Sequence, residues 1–167
     1  MIAVSTRAFV VALFASLFAG CHRPTAWRAS SFSITDPTIS RQLISGFYAS
    51  ENGWRWAGPT FTFALPPPAR TGPDPLKPAK LTLSLFFPPN EIDQLGPITI
   101  TATGSDYQFG KATYDKPGPY DFVVEIPPEA LCTNVLPVTF SLDKYLHGSN
   151  ADVRDLGVVV NRISLRN

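Results

Sequence analysis

Aromatic and charged side chains are concentrated around one predicted turn, Asn52-Gly53. The flanking residues are Tyr48, Glu51, Trp54, Arg55 and Trp56. Sugar rings present apolar C–H faces that stack on tryptophan and tyrosine rings, while charged neighbours hydrogen-bond the hydroxyls. The segment therefore predicts a carbohydrate contact.

The competing interpretation of the two tryptophans is that they belong to the core of the fold, which is the commoner use of such large apolar side chains. A strand over Trp54-Arg55-Trp56 places both indoles on one face and Arg55 on the other. We expect Trp56 to be the more buried indole, because it precedes the alternating Phe61 and Phe63. Trp54 borders the turn and is expected to be the more exposed.

A second pair of candidate ligand-binding residues is Asp152 and Arg154, which precede the last apolar run. The alternative is structural, because an Asp-x-Arg pair before a buried strand fixes a loop to the sheet edge by strong charged hydrogen bonds. Arg55, on the face opposite the tryptophans, is expected to form an ion pair with Glu51 or Asp152.

No catalytic constellation is recognisable. His147 is the only histidine beyond the start of the chain, and it lies in a Gly-Ser-Asn loop without a nucleophile motif. No Cys/His spacing matches a zinc site, and no glycine-rich phosphate loop is present. A glycosidase needs two carboxyl groups at a fixed separation, one with a raised pKa. Six residues are candidates only because they carry a carboxyl group: Glu51, Asp106, Asp115, Asp121, Asp152 and Asp155. We therefore predict a protein that is not an enzyme and has neither cofactor nor metal.

The charge balance argues against a nucleic-acid partner. The chain has fourteen Lys and Arg residues and thirteen Asp and Glu residues, and no basic run is visible. Nucleic-acid binding rests first on clustered cations that neutralise phosphates. Cys132 follows Ala130-Leu131, so we expect it to pack as a small apolar group.

The pattern of breakers and alternating residues predicts an all-β fold. Seventeen prolines and eleven glycines interrupt the chain too often for long helices. Between them apolar and polar residues alternate, most clearly at Leu81, Leu83, Leu85 and Phe87. We predict an antiparallel two-sheet sandwich, jelly-roll-like, of about eight strands over residues 30–167.

The first twenty residues have the composition of a signal peptide. Arg7 precedes an apolar run over residues 8–18, which is too short to span a bilayer as a helix. Small residues then lead into a cysteine in Phe18-Ala19-Gly20-Cys21. We assign residues 1–20 to the signal and 21–29 to a tether.

The Ala-Gly-Cys ending resembles the lipobox of bacterial lipoproteins, although Phe18 stands where that family usually has leucine. The resemblance implies cleavage before Cys21 and lipids on its thiol and its new amino group. Alternatives are ordinary secretion, with cleavage after Ala19 or Gly20, and an uncleaved anchor. His22 is not the aspartate that retains some lipoproteins at the inner membrane, so the resemblance favours the outer membrane.

Two further segments, residues 45–58 and 152–160, resemble a small, largely uncharacterised β-sandwich domain found beside bacterial glycosyltransferases. The likeness extends over most of residues 32–165 and to galactose-binding-like jelly rolls. It implies an association with glycans without an enzyme domain in this chain.

Two function classes follow. One is a lipid-anchored envelope protein whose non-catalytic sandwich binds glycan. The other is a structural or assembly lipoprotein whose sandwich binds a protein partner in the envelope.

Overall fold

The computed structural model describes residues 29–69, 77–104 and 106–167, so the predicted signal, Cys21 and residues 22–28 of the tether lie outside the described residues. Nine strands and one α-helix occupy the described part. Their bounds are β1 Ser31–Ser33, β2 Leu43–Glu51, β3 Trp54–Leu65, β4 Ala79–Phe87, α1 Pro89–Leu95, β5 Ile98–Gly104, β6 Tyr107–Tyr114, β7 Gly118–Ile126, β8 Leu136–Leu142 and β9 Val158–Arg166. Short 3-10 turns cover Pro37–Ile39 and Pro128–Leu131.

The predicted fold class is confirmed: the protein is an all-β, antiparallel, sandwich-like domain. The strands follow the order β6-β5-β8-β3-β9-β4-β7, with β1 paired to β9 and β2 paired to β3. The connected sheet curls so far that its two end strands, β6 and β7, come into contact. The result is two facing layers that approach a closed barrel.

Strand β3 joins the two layers by changing its partner half-way along. Residues 60–65 pair with β8, whereas residues 55–57 pair with β9. The change falls at Gly58-Pro59, where proline has no N–H to donate to a ladder. Gly157 lies against this point, and a Cβ there would sit 2.5 Å from the Gly58 carbonyl oxygen. The break visible in the sequence is therefore a change of layer within one continuous strand.

The core between the layers is built from alternate residues of the long strands. The predicted apolar face of β4, from Leu81 to Phe87, is almost completely buried. Across the layers, Phe122 of β7 meets Phe140 of β8 edge-on, with ring centroids 5.4 Å apart. Phe61 of β3 stacks on Phe140 at 5.2 Å. Each such buried ring contributes about 1.5–3 kcal/mol through its removal from water.

The predicted Asn52-Gly53 turn is confirmed and closes the β2–β3 hairpin. Both residues have positive φ, 40° and 97°, which is the geometry that two-residue hairpins favour. Glu51 and Trp54 are directly paired on either side of it. The turn fixes the register that brings the candidate residues together.

The described chain enters the fold at the opposite end from this turn. Buried Gln42 accepts a hydrogen bond from the Ala29 amide at 2.8 Å and donates to the carbonyls of Ala29 and Ala64. The Leu165 amide donates to the Ser30 carbonyl at 2.7 Å. Because β3 runs from Trp54 to Leu65, the length of that strand, on the order of 30 Å, separates the entry point from the turn.

Candidate functional site

The two tryptophans lie on the outer face of a layer, not between the layers. Ala57 and Val158 point into the core cluster and are paired with each other. Since alternate residues of a strand face opposite ways, their neighbours Trp56 and Val159, also directly paired, face outward. Phe86 of β4 is paired with Val159 from the other side and completes an apolar row across three strands.

The predicted order of burial of the tryptophans is confirmed. Trp56 is 9 % exposed, and Trp54 has intermediate exposure. The two rings meet edge-on, with centroids 6.2 Å apart and planes at 82°. Trp56 is nevertheless absent from the continuous core cluster. Its burial comes from its outer-face neighbours, so neither indole is a core residue in the sense that the sequence suggested.

An open apolar groove of about 370 Å³ follows this row of side chains. We call it the outer groove; its lining residues are Trp54, Trp56, Phe86, Pro88, Val159 and Asn161. The volume is within the range of small-molecule sites, which are apolar and carry a few polar groups that orient the ligand. The Asn161 amide offers both donors and an acceptor to a hydroxylated ligand.

A network of charged side chains lies at the turn end of the hairpin. We call Glu51, Asp152 and Arg154 the Arg154 cluster. The Arg154 guanidinium donates to Glu51 Oε1 at 2.6 Å and, through Nε and a terminal nitrogen, to both Asp152 oxygens. It also lies over the Tyr48 ring, 5.4 Å from the centroid. These contacts tie the loop before β9 to the end of β2, as the structural interpretation of the Asp-x-Arg pair requires.

Tyr48 strengthens the same connection. Its hydroxyl donates to the Asp155 carbonyl at 2.9 Å across 107 residues of sequence. Asp155 in turn accepts from the Gly148 amide at 2.9 Å. The Tyr48 hydroxyl thus holds the loop that precedes β9. Because Arg154 lies over the ring, that face of Tyr48 is not open for a sugar to stack on.

The charged groups of the Arg154 cluster satisfy one another through hydrogen bonds. Hydrogen bonds from Arg154 lower the pKa of Asp152 to about 2. The general acid of a glycosidase needs the opposite, a raised pKa. Asp152 therefore lacks the property that would make it the acid of a carboxylate pair.

Arg55 does point away from the tryptophans, but the predicted ion pair is wrong. Its Nε donates to the Ile34 carbonyl at 2.8 Å and a terminal nitrogen donates to the Tyr48 carbonyl at 3.0 Å. Arg154 occupies both expected carboxylates instead, because the loop before β9 folds back on the hairpin. Arg55 holds β3 to two other backbone segments.

Sequence reasoning missed the part of the groove supplied by other strands: Phe86, Pro88, Val159 and Asn161. One signal was available. Phe86 is an aromatic residue at an outward position of a strand whose inward face was clear from Leu81 to Phe87. The opposition of Val159 to Trp56 depends on long-range pairing that no local pattern specifies.

Two further groups depart from the sequence expectations. Cys132 is exposed, so the prediction that it packs as an apolar group is wrong: Leu131 takes the buried position at the end of the 3-10 turn. Glu91 on α1 is fully buried, and neither of its carboxylate oxygens has a hydrogen-bond partner among the described residues. Burial raises the pKa of Glu91 to about 8, so it is mostly protonated at pH 7.

The described residues also bear on the requirements of a catalytic histidine, a metal site and a membrane span. The His147 side chain is 77 % exposed in its loop, with Nδ1 at 3.8 Å from Asp155 Oδ1. In the described ranges no three His, Cys, Asp or Glu side chains are grouped to hold a metal ion. The same ranges contain no helix with the length and apolar character needed to cross a membrane.

No protein-family model and no curated protein matches this chain. The features of this chain that bear on its function are the outer groove, the surfaces around it and the sequence patterns.

Proposed function

We propose that this is a non-catalytic, lipid-anchored protein of the bacterial cell envelope whose sandwich binds glycan in the outer groove. The observation that carries the proposal is the row formed by Trp56, Val159 and Phe86, with Trp54 beside it, on the outer face of a sheet. Aromatic side chains on an outer face are not needed to fill the core. The partly exposed rings, Trp54 and Phe86, are suited to stack on the C–H face of a sugar, and buried Trp56 and Val159 support them from below.

The polar rim of the groove supports a hydroxylated ligand over a purely apolar one. Asn161 lines the groove beside Trp54. Glu51 is the residue directly paired with Trp54, which puts the Arg154 cluster beside that end of the groove. A sugar needs both an apolar stacking face and hydrogen-bonding neighbours, and the outer groove offers the first through Trp54 and the second through the Asn161 amide.

Lipid attachment at Cys21 is the anchoring part of the proposal, and it rests on the Ala-Gly-Cys sequence. The described chain enters the fold beside Ala64 and Leu165, whereas Trp54 is at the far end of β3. An anchor on the tether would thus hold the domain by the end remote from the turn. Trp54 would face away from the membrane, toward envelope glycans.

A glycan array with the full chain, purified in detergent from its native membrane, tests the binding part. We expect Trp54→Ala to abolish glycan binding while the melting temperature stays within a few degrees of the original. Tyr107→Ala is the matched control, because Tyr107 is an exposed aromatic residue on β6. Absence of any glycan signal, together with a stoichiometric envelope protein in pull-downs, would favour the assembly lipoprotein instead.

Mass spectrometry of the same material tests the anchor. We expect the mature chain to begin at Cys21 and to carry acyl chains, because each buried methylene contributes about 0.8 kcal/mol to membrane binding and several chains are needed for stable anchoring. Cys21→Ser should release the protein from the membrane fraction, and Cys132→Ser should not. A mature chain that begins at another residue would contradict the assignment.

A further inference from the structure

The outer face of β4 and β9 continues beyond the outer groove as a polar trough of about 330 Å³. We propose that the bound glycan is acidic, and that the trough binds its anionic groups through Lys80, Arg162 and Arg166. This inference rests on the proposed function and names the class of glycan. The residues that line the trough are Lys80, Thr82, Ser84, Asp121, Arg162, Ser164 and Arg166.

The trough is built from directly paired residues on two neighbouring strands. Lys80 is opposite Arg166, Thr82 is opposite Ser164, and Ser84 is opposite Arg162. All six side chains face outward, since the residues between them are core residues of the same strands. Next to this set the register shifts by one residue: Leu85 is opposite Val160, so Asn161 is an extra residue of β9 without a partner on β4. Three cations and three hydroxyls therefore share one surface.

None of the three cations forms an ion pair with a described residue. In the described ranges, neither Lys80, Arg162 nor Arg166 has a carboxylate within 4 Å; the ion pairs there involve Arg154 and His147. Arg162 donates to the Ser31 hydroxyl at 3.3 Å. The one acid that lines the trough, Asp121, accepts a 2.6 Å hydrogen bond from Ser84.

Two of these cations lie at positions where they repel each other. Lys80 and Arg166 are directly opposite each other, and like charges at such positions destabilise a sheet. Glu125 is opposite Lys80 on the other side, in β7, but forms no ion pair with it among the described contacts. A carboxylate or sulfate between Lys80 and Arg166 would relieve the repulsion, and an arginine can bind either group through two parallel hydrogen bonds.

The trough and the outer groove form one continuous surface. Ser84 and Phe86 are successive outward residues of β4, and Arg162 directly follows Asn161 on β9. From Phe86 to Lys80 the strand extends about 20 Å. One oligosaccharide can thus stack on the groove with one sugar and place anionic groups along the trough.

Binding measurements with matched oligosaccharides test the inference. The probes are tetrasaccharides of galacturonate, mannuronate and sulfated sugars, each with its neutral counterpart, and mixed micelles that contain phosphatidylglycerol. We expect acidic probes to bind at least tenfold more tightly than neutral ones. The double variant Arg162→Gln/Arg166→Gln should remove that preference and leave neutral binding unchanged. Lys111→Gln, an exposed cation on β6, is the control.

Each contrary outcome identifies what failed. Equal binding of acidic and neutral sugars, still lost in Trp54→Ala, would overturn the acidic class and leave the proposed function intact. Absence of binding to every sugar would overturn both. Binding of the micelles alone, lost in the double variant, would assign the trough to lipid headgroups. Weaker acidic binding at high salt is expected, because the cations are exposed.

Discussion

Arg154 and Arg162 are eight residues apart in the sequence and have opposite surroundings. Arg154 bonds two carboxylates and lies over the Tyr48 ring, with 29 % of its side chain exposed. Arg162 is exposed on a sheet face and donates to one serine hydroxyl. The first guanidinium has its hydrogen-bonding capacity taken up by the fold, while the second keeps donors available for a ligand.

The tryptophans show the same contrast between structural use and availability. Trp56 is covered by its neighbours, whereas Trp54 is partly exposed at the rim of the outer groove. Residue type alone therefore does not distinguish a binding residue from a structural one. The distinction lies in how completely the surrounding fold satisfies or covers the side chain.

Glu91 should produce the largest effect on stability, because its carboxyl group has neither a hydrogen-bond partner among the described residues nor contact with solvent. With its pKa raised from 4.5 to about 8, the folded state holds a proton that the unfolded state has released between those values. The free energy of unfolding should then fall as pH rises from about 4.5 to 8, by on the order of 5 kcal/mol in total. Urea melts of the protein and of Glu91→Gln, from pH 4 to 9, check this.

Glu91→Gln should flatten that dependence, because the amide does not ionise. The more exposed Glu129→Gln is its control. A wild-type protein whose stability is unchanged between pH 5 and 8 would show that water reaches Glu91.

Trp56→Ala should cost about 3 kcal/mol of folding stability, through lost burial and the cavity left behind. Trp54→Ala should cost clearly less, because its ring is already partly in water, yet it should abolish glycan binding. Thermal melts and binding assays of the two variants separate structural from ligand-facing use. A larger loss of stability for Trp54→Ala would refute the assignment.

Arg154→Ala should destabilise the protein less than Trp56→Ala does, because the cluster is partly exposed and screened by solvent. The substitution should also remove the loss of folding stability that Asp152 causes at acid pH. The lowered pKa of Asp152 contributes stability above about pH 4, and that stability is lost as pH falls toward 2. Melts between pH 2 and 5 of the protein and of Arg154→Ala provide the measurement. Arg154→Lys, which retains the charge, is the control.

Arg162→Gln should have the smallest effect on stability, within about 0.5 kcal/mol, because Arg162 is exposed and forms no ion pair with the described residues. Its effect should appear in the binding of acidic oligosaccharides instead. If Arg162→Gln destabilised the fold as much as Arg154→Ala, the contrast between the two arginines would be lost.

The sequence alone determined the local features of this protein. Proline and glycine breaks and the alternation from Leu81 to Phe87 predicted the strands and the all-β class. Asn52-Gly53 predicted the hairpin, and its position next to Trp54 predicted which indole is more exposed. These features follow from backbone sterics and from the two-residue period of a strand, which act over a few neighbouring residues.

Only the tertiary structure decided which face of a strand meets the core and which charges meet each other. The pairing of Trp56 with Val159 placed the tryptophans on the outer face, and the fold-back of the loop before β9 gave Glu51 to Arg154, 103 residues away. The same long-range contacts buried Glu91 and left Arg162 exposed. Alternation specifies two faces but not which is covered, because burial depends on strands that are remote in sequence.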